Sequence, residues 1–267
     1  MNAQTEMENL VLATALELVD GESCFVGIGV PSLAAMLAKR THAPNLVLIY
    51  ESGAIDANPP IPPLSTGSPS VAADTAMIGD CLDVFGDLQA GRIDVGLLSA
   101  AQVDRHGNLN STVIGDYRHP KLRMVGSGGA HDIASMANRV VIVMPHDPRR
   151  FVPAVDFITS PGFLGGGGER ARCGLKGGPH CVITGRGRFV FQNEELHLEH
   201  SFHPFTLEQA VEGFGWKVPV YAGAKCFDGF DEQAREVARG IGFADVEGPT
   251  LVAKTATRVG QQDKDEN

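Results

Sequence analysis

Cysteine is scarce: Cys24, Cys81, Cys173, Cys181 and Cys226 are scattered over 267 residues, odd in number and without a CxxC pair. That excludes a disulfide framework and points to reduced thiols. No apolar run approaches the length of a membrane span. The opening MNAQTEMENL has neither a basic leader nor an apolar signal core, so a cytoplasmic protein is expected. Positive charge is short as well. With 22 Lys and Arg against 32 Asp and Glu, the net charge is −10, which argues against nucleic acid or an anionic membrane as partner. Internal repeats and low-complexity linkers are missing. What remains, 43 % hydrophobic and 20 % charged residues, is ordinary globular composition with room for a substantial core.

Residues 5–19 carry apolar positions at helical spacing, with Thr5 and Glu8 fitting a capping box and Asp20-Gly21 ending the helix. A strand is predicted over 23–28, and Gly29-Val30-Pro31-Ser32 turns into a helix over 32–40. Residues 46–50 read as an interior parallel strand that ends on Glu51. Residues 52–70, rich in Pro, Gly and Ser, follow as a long irregular excursion. Strands over 92–101 and 139–144, a turn at 104–108, a glycine-rich loop at 126–130 and a helix over 131–137 extend the βα alternation. The fold class is therefore α/β with an open, mainly parallel sheet and flanking helices. From about residue 180 the texture changes: a hairpin over 182–192, a strand over 196–202 and a helix over 206–213 put antiparallel strands in the C-terminal third. The polar QQDKDEN end is expected to fray.

Glu51 stands where ligands sit in open α/β sheets, at the carboxyl end of a buried strand. It is a nucleophile or base at a pocket mouth, or a polar strand end with an ordinary partner. In VGIGVP (26–31), Gly27 and Gly29 let the main chain approach a ligand and expose helix N–H groups to an anion; a turn that needs glycine is the equal alternative. It is no dinucleotide fingerprint, because Ser32 fills the sixth position of the GxGxxG frame. The run Gly126-Ser127-Gly128-Gly129-Ala130 precedes a predicted helix and can present N–H groups to a developing oxyanion. Val125 excludes a GxSxG elbow around Ser127. Residues 162–168 lack a P-loop ending and read as a flexible loop. His197, His200 and His203 alternate faces on a strand, so no shared metal is expected. Two basic clusters are candidates for neutralising phosphates: Arg118-His119, Lys121 and Arg123 ahead of the glycine loop, and Arg149-Arg150, which reads more as a solvated face.

In this order VGIGVP, IYESG, AAQVDRHGNLNST (100–112), IGDYRHPKLRMVGSGGAHDIAS (114–135) and RRFVPAVDFITSPG (149–162) resemble the β subunits of family I coenzyme A transferases. The texture is that of the glutaconate and 3-oxoadipate CoA-transferase B types. The resemblance runs over about residues 6–220; residues 221–267 do not follow the pattern and are read as an extension of a single domain spanning 1–267. It implies a Rossmann-like subunit and an active site at the junction with a separate α subunit, in a heterotetramer or larger assembly. It makes Glu51 the nucleophile, with Gly128, Gly129 and Ala130 as oxyanion donors and Gly27 and Gly29 near the coenzyme. No permanently bound cofactor and no metal are implied. Coenzyme A enters as a substrate thioester, and a dicarboxylic or 3-oxo acid exchanges with it through a ping-pong glutamyl-CoA thioester. Sharing of CoA contacts with the partner reconciles the acidic charge with an anionic substrate. Two other readings stay open: an acyl-CoA hydrolase or decarboxylase on the same scaffold, and a sugar-phosphate-binding module that makes Glu51 incidental.

Overall fold

The computed structural model describes residues 3–241. In chain order, helix α1 (Ala3–Leu16) is followed by β1 (Ser23–Val26), α2 (Val30–Arg40) and β2 (Val47–Ile49). Next come β3 (Ala54–Ala57), β4 (Thr75–Ile78), α3 (Cys81–Gln89) and β5 (Val95–Leu98). Two short ribbons follow, β6 (Gln102–Val103) with β7 (Leu109–Asn110) and β8 (Val113–Gly115) with β9 (Pro120–Arg123). Helix α4 (Ala130–Met136), β10 (Arg139–Val143), α5 (Glu169–Arg172), β11 (Pro179–Ile183) and β12 (Gly187–Gln192) lead to β13 (Glu195–Phe202). The last elements are α6 (Leu207–Val211), β14 (Val220–Phe227) and α7 (Glu232–Gly240).

Ten strands form one sheet in the order β14-β13-β12-β11-β10-β5-β1-β2-β3-β4. The five central strands, β11 to β2, are mutually parallel, and antiparallel pairs flank them on both sides. Because side chains alternate along a strand, the buried central runs feed two cores. Cys24, Val26, Leu48, Val95, Leu97, Val141 and Val143 pack on the α1–α2–α7 side. Phe25, Ile49, Leu98, Val140 and Ile142 pack on the other, with Ile133 and Ala134 of α4 and Val84 and Leu88 of α3. Helix α4 lies so close to β5 that a Cβ on Gly96 would collide with the Ile133 side chain.

The expected α/β sheet is present; several local readings change. The 52–70 excursion contains β3, which turns back onto β2, and its proline stretch is tethered by Arg40 donating to the Pro59 and Pro60 carbonyls. Thr5 does not cap α1, which already begins at Ala3. Glu8 instead receives Arg235 at 2.8 Å and Arg239 at 3.4 Å from α7. Capping boxes do form at Asp80/Asp83 and Thr206/Gln209. Residues 220–241, assigned to an extension, add an edge strand parallel to β13 and a helix whose Ala238 and neighbouring Ile241 join the first core. The QQDKDEN end lies outside the described residues. Residues 162–168 are not a flexible loop, because distant side chains fasten them: Gly162 and Leu164 N–H donate to Asn108 Oδ1, Gly165 N–H to Glu169, and Gly168 N–H to Glu194. Behind them Arg170, 3 % exposed, has no carboxylate partner among the described residues and donates to the carbonyls of Pro161, Gly162, Ala134, Lys176 and Gly177.

Gly96→Ala forces α4 away from β5. Overpacking of this kind costs about 1–3 kcal/mol, so the thermal midpoint should fall by roughly 2–10 °C. Differential scanning calorimetry of the variant checks this; an unchanged midpoint would show that α4 yields freely.

Candidate active site

Strand β2 ends at Ile49, and the chain reverses at once. Gly53 N–H donates to the Tyr50 carbonyl at 2.9 Å, Tyr50 N–H to the Ala54 carbonyl at 3.0 Å, and Ile55 pairs with Ile49. Glu51 and Ser52 are thus the tip of a three-residue hairpin turn, and Gly53, at φ 101°, takes the position after it where a bulge requires glycine. A Cβ on Gly53 would also collide with the Gly79 carbonyl, while Gly79 N–H donates to the Gly53 carbonyl at 2.9 Å. On the other side of Glu51, the fully buried Tyr50 hydroxyl meets Ser32 Oγ of α2 at 2.9 Å. The turn is therefore held by its own closure, by Gly79 and by α2.

The parallel connections leave β1 toward β2 on one side, while β5 lies on the other. That reversal marks the topological switch point, where ligands enter beyond the carboxyl ends of the strands. Gly27 sits at this crevice, where a Cβ would come within 3.1 Å of the Leu97 carbonyl of β5. Gly29, at φ 80°, is the residue before α2 and has open space around it. Glu51 lies one strand further along the same edge.

Helix α4 precedes β10 in the parallel sheet, so its N-terminus also points to this edge. Gly129 occupies the cap position, and its N–H lies close enough to the Glu51 carboxylate to favour its charged form. A Cβ there would lie 2.5 Å from Glu51 Oε1 and 2.5 Å from Phe85 Cζ. The pKa of half-buried Glu51 is raised. Burial is the main cause; the Gly129 N–H opposes it, and the nearby Asp132 charge adds to it. The three expected donors part company here. Gly129 N–H faces Glu51, Ala130 N–H turns inward to the Ser127 carbonyl at 2.9 Å, and Gly128 N–H has no partner among the described residues.

Sequence reasoning missed the framework that aims this loop. Ser111 grips Gly126 twice, accepting its N–H at 3.0 Å and donating Oγ–H to its carbonyl at 2.8 Å. Ser111 N–H is held in turn by Thr159 Oγ1, which also meets Thr112 Oγ1 at 2.7 Å. Gln102, Asn110 and Asp156 continue the network. The hint was present in the amide- and hydroxyl-rich AAQVDRHGNLNST stretch, whose Gln102, Asn108 and Asn110 are buried. Among the described residues, one His, Cys and acid group has ligand-like spacing: Glu17, His180 and Cys181. Arg188 fills that gap by donating to both Glu17 oxygens. The histidines of β13 and its neighbour His203 take no part in it.

A fold of this kind, with a carboxylate seated on a helix N-terminus at the switch edge, has a family. Residues 7–174 match the model described as Coenzyme A transferase, and the chain belongs to that family. It is 42 % identical, over 272 aligned positions covering all of both chains, to the B component of 3-oxoadipate CoA-transferase from Pseudomonas knackmussii. It also matches the crystal structure of glutaconate coenzyme A-transferase from Acidaminococcus fermentans with a TM-score of 0.83 and 32 % identity, over 93 % of this chain and 98 % of that one. The decarboxylase AibA/AibB shares the fold, with a TM-score of 0.75 at 22 % identity over 88 % of this chain and 93 % of that one. The protein is a CoA-transferase of the β-subunit type.

Two outcomes are expected. Gly129→Ala pushes a methyl group into the Glu51 carboxylate, and small displacements of reacting groups cost on the order of 100-fold in rate. Steady-state CoA transfer should fall by that order while circular dichroism stays native. Glu51→Gln removes a carboxylate whose folded pKa lies above its unfolded value, so the ionised form weighs against folding at pH 7. The variant should melt at the same or a higher temperature at pH 7. That gap should close as acid titration takes the wild-type carboxylate below its unfolded pKa.

Proposed function

We propose that Glu51 carries the acyl and CoA groups of a ping-pong transfer between an acyl-CoA and a carboxylic acid. The observation that carries this reading is the seating of its carboxylate against the α4 N-terminus with the neighbouring Gly128 N–H unengaged. A Glu51 oxygen attacks the thioester carbonyl carbon, and the negative charge that gathers on the carbonyl oxygen is met by the Gly128 N–H. Collapse breaks the C–S bond and leaves a mixed anhydride plus CoA thiolate. The thiolate then attacks Glu51 Cδ, the anhydride C–O bond breaks, and the first acid leaves as its carboxylate. The glutamyl-CoA thioester reacts with the second acid by the same two steps in reverse. A single oxyanion donor is worth about 100- to 1000-fold in rate. The raised pKa of Glu51 makes its carboxylate a better nucleophile, and it moves the acid limb of the rate profile upward from that of an ordinary glutamate.

The names of the relatives support dicarboxylic and 3-oxo acids as the substrate class. They also support a separate α-type subunit as partner. Apolar side chains flank the site and stand in solvent in this chain alone: Ile28, Ile78, Leu82 and Val125, from 37 % exposed (Ile28) to 97 % (Val125). A covering subunit would bury them and keep water from the anhydride. Coenzyme A is a substrate in this scheme, and none of its steps calls on a resident cofactor. A cytoplasmic setting suits the five free cysteines, and no described helix is long and apolar enough to cross a membrane.

The test uses the protein purified with its partner subunit. Incubation with acyl-CoA and no acceptor, followed by hydroxylamine or borohydride, should modify the peptide containing Glu51, as located by mass spectrometry. An active complex with Glu51 unmodified would overturn the assignment. Hydrolysis without transfer would put water in place of the second acid.

A further inference from the structure

We propose that the β8–β9 hairpin holds the phosphate groups at the nucleotide end of coenzyme A. This rests on the reading of Glu51 and Gly128 as the reacting end. The hairpin is a two-stranded ribbon of its own, outside the ten-stranded sheet. Between its strands and along β9 it carries Arg118, Lys121 and Arg123, with His119 between them, against one carboxylate, that of Asp116. Asp116 is already engaged, accepting the main-chain N–H groups of Arg118 and His119 at 2.8 and 2.9 Å. Among the described residues no carboxylate lies within ion-pair distance of Arg118, Lys121 or Arg123. In a chain of net charge −10 that is a local excess of positive charge: against Arg118, Lys121 and Arg123 stand Asp116 and Asp156, both engaged with main-chain N–H groups of the hairpin.

The cations stand on a rigid support. The Arg123 guanidinium lies 4.7 Å over the Tyr117 ring and donates to the Tyr117 carbonyl at 2.7 Å, and Tyr117 stacks on Phe157 at 5.3 Å. The Arg118 and Lys121 side chains are exposed and have no hydrogen-bond or ion-pair partner among the described residues. The second basic cluster is different. Arg149 is closed on Asp147 at 2.6 Å, and Arg150 donates to the Ala100 carbonyl at 2.7 Å. Of the two clusters, the one that feeds the glycine loop is the one still available to an anion.

Its position fits a long substrate. The ribbon runs on past Arg123: Met124 N–H donates to the Thr112 carbonyl and Gly126 N–H to that of Ser111. Arg123 lies six positions before Gly129, with five residues between them, at most about 20 Å of chain. Coenzyme A has its thiol at one end and a nucleotide with three phosphate groups at the other, joined by an extended pantetheine arm of comparable length. With the thioester at Gly128, the arm brings the phosphates over the hairpin. Lysine and arginine then meet them by charge-assisted hydrogen bonds.

The experiment compares two donors with the same acyl group, acyl-CoA and acyl-pantetheine, the second lacking every phosphate. The assembled enzyme carries Arg118→Gln together with Lys121→Gln, and Arg149→Gln serves as the control. In the double variant the preference for acyl-CoA over acyl-pantetheine, measured as the ratio of kcat/KM values, should fall about tenfold or more. The rise of the acyl-CoA KM with salt should flatten as well. The control should keep the wild-type ratio. Equal loss with both donors, or no loss, overturns the proposal. Release of the partner subunit from the double variant, seen by sedimentation, also overturns it and assigns the hairpin to the subunit interface. Labelling of Glu51 by acyl-CoA reports the reacting end independently: if wild-type enzyme is not labelled, the nucleophile reading falls too, and if it is labelled with the ratio unchanged, only the hairpin assignment falls.

Discussion

The close approach of Gly129 to the Glu51 carboxylate is the constraint on which the rest of the site depends. It joins two elements far apart in sequence, the β2–β3 turn and the start of α4, at the edge where the parallel strands end. It also explains why position 129 has no side chain, since a methyl group there would overlap both the carboxylate and Phe85. The Gly129 N–H favours the charged form of Glu51 while burial opposes it, and burial prevails. The Glu51 carboxylate is kept partly out of water beside a main-chain donor and has no cationic partner among the described residues.

The elements around this contact supply aim. Gly53 and Gly79 exchange a main-chain contact too close for any side chain, Tyr50 is pinned to Ser32, and Ser111 grips Gly126 from behind. Arg170 then fastens the C-terminal half of α4 to the glycine-rich 161–168 stretch and to the 176–177 turn. The sequence blocks 100–112, 114–135 and 149–162 prove to be one connected polar framework behind a two-residue contact.

Much of this was legible in the sequence because burial leaves a local mark. Continuous apolar runs announced β5 and β10, and small residues ahead of an amphipathic segment announced the loop before α4. Glu51 was placed at the right edge for the same reason. What the sequence hid was set by distant partners. The turn at 50–53 looked like the start of a long loop, because the Gly79 carbonyl that requires Gly53 lies beyond the whole excursion and β4. The capping box at Thr5 and Glu8 looked sound locally, but Glu8 belongs to Arg235, near the far end of the described chain. The glycines at 162–168 suggested flexibility because their anchors, Asn108 and Glu194, are nowhere near them in the chain. Strand β14 is exposed along most of its length and has no alternating pattern to read.

The seat of Glu51 is built mostly from main chain: an N–H of Gly129, a turn closed by Gly53, and a strand held against Gly79. Such a seat does not depend on which side chains decorate it, so it can stay constant while the acids being exchanged differ. On the proposed reading of Glu51, discrimination between one acid and another is then written on the open side of the carboxylate, in groups that meet the acyl chain rather than in those that hold Glu51. Reaction type and substrate choice are thereby separated in space, and the second can drift without disturbing the first.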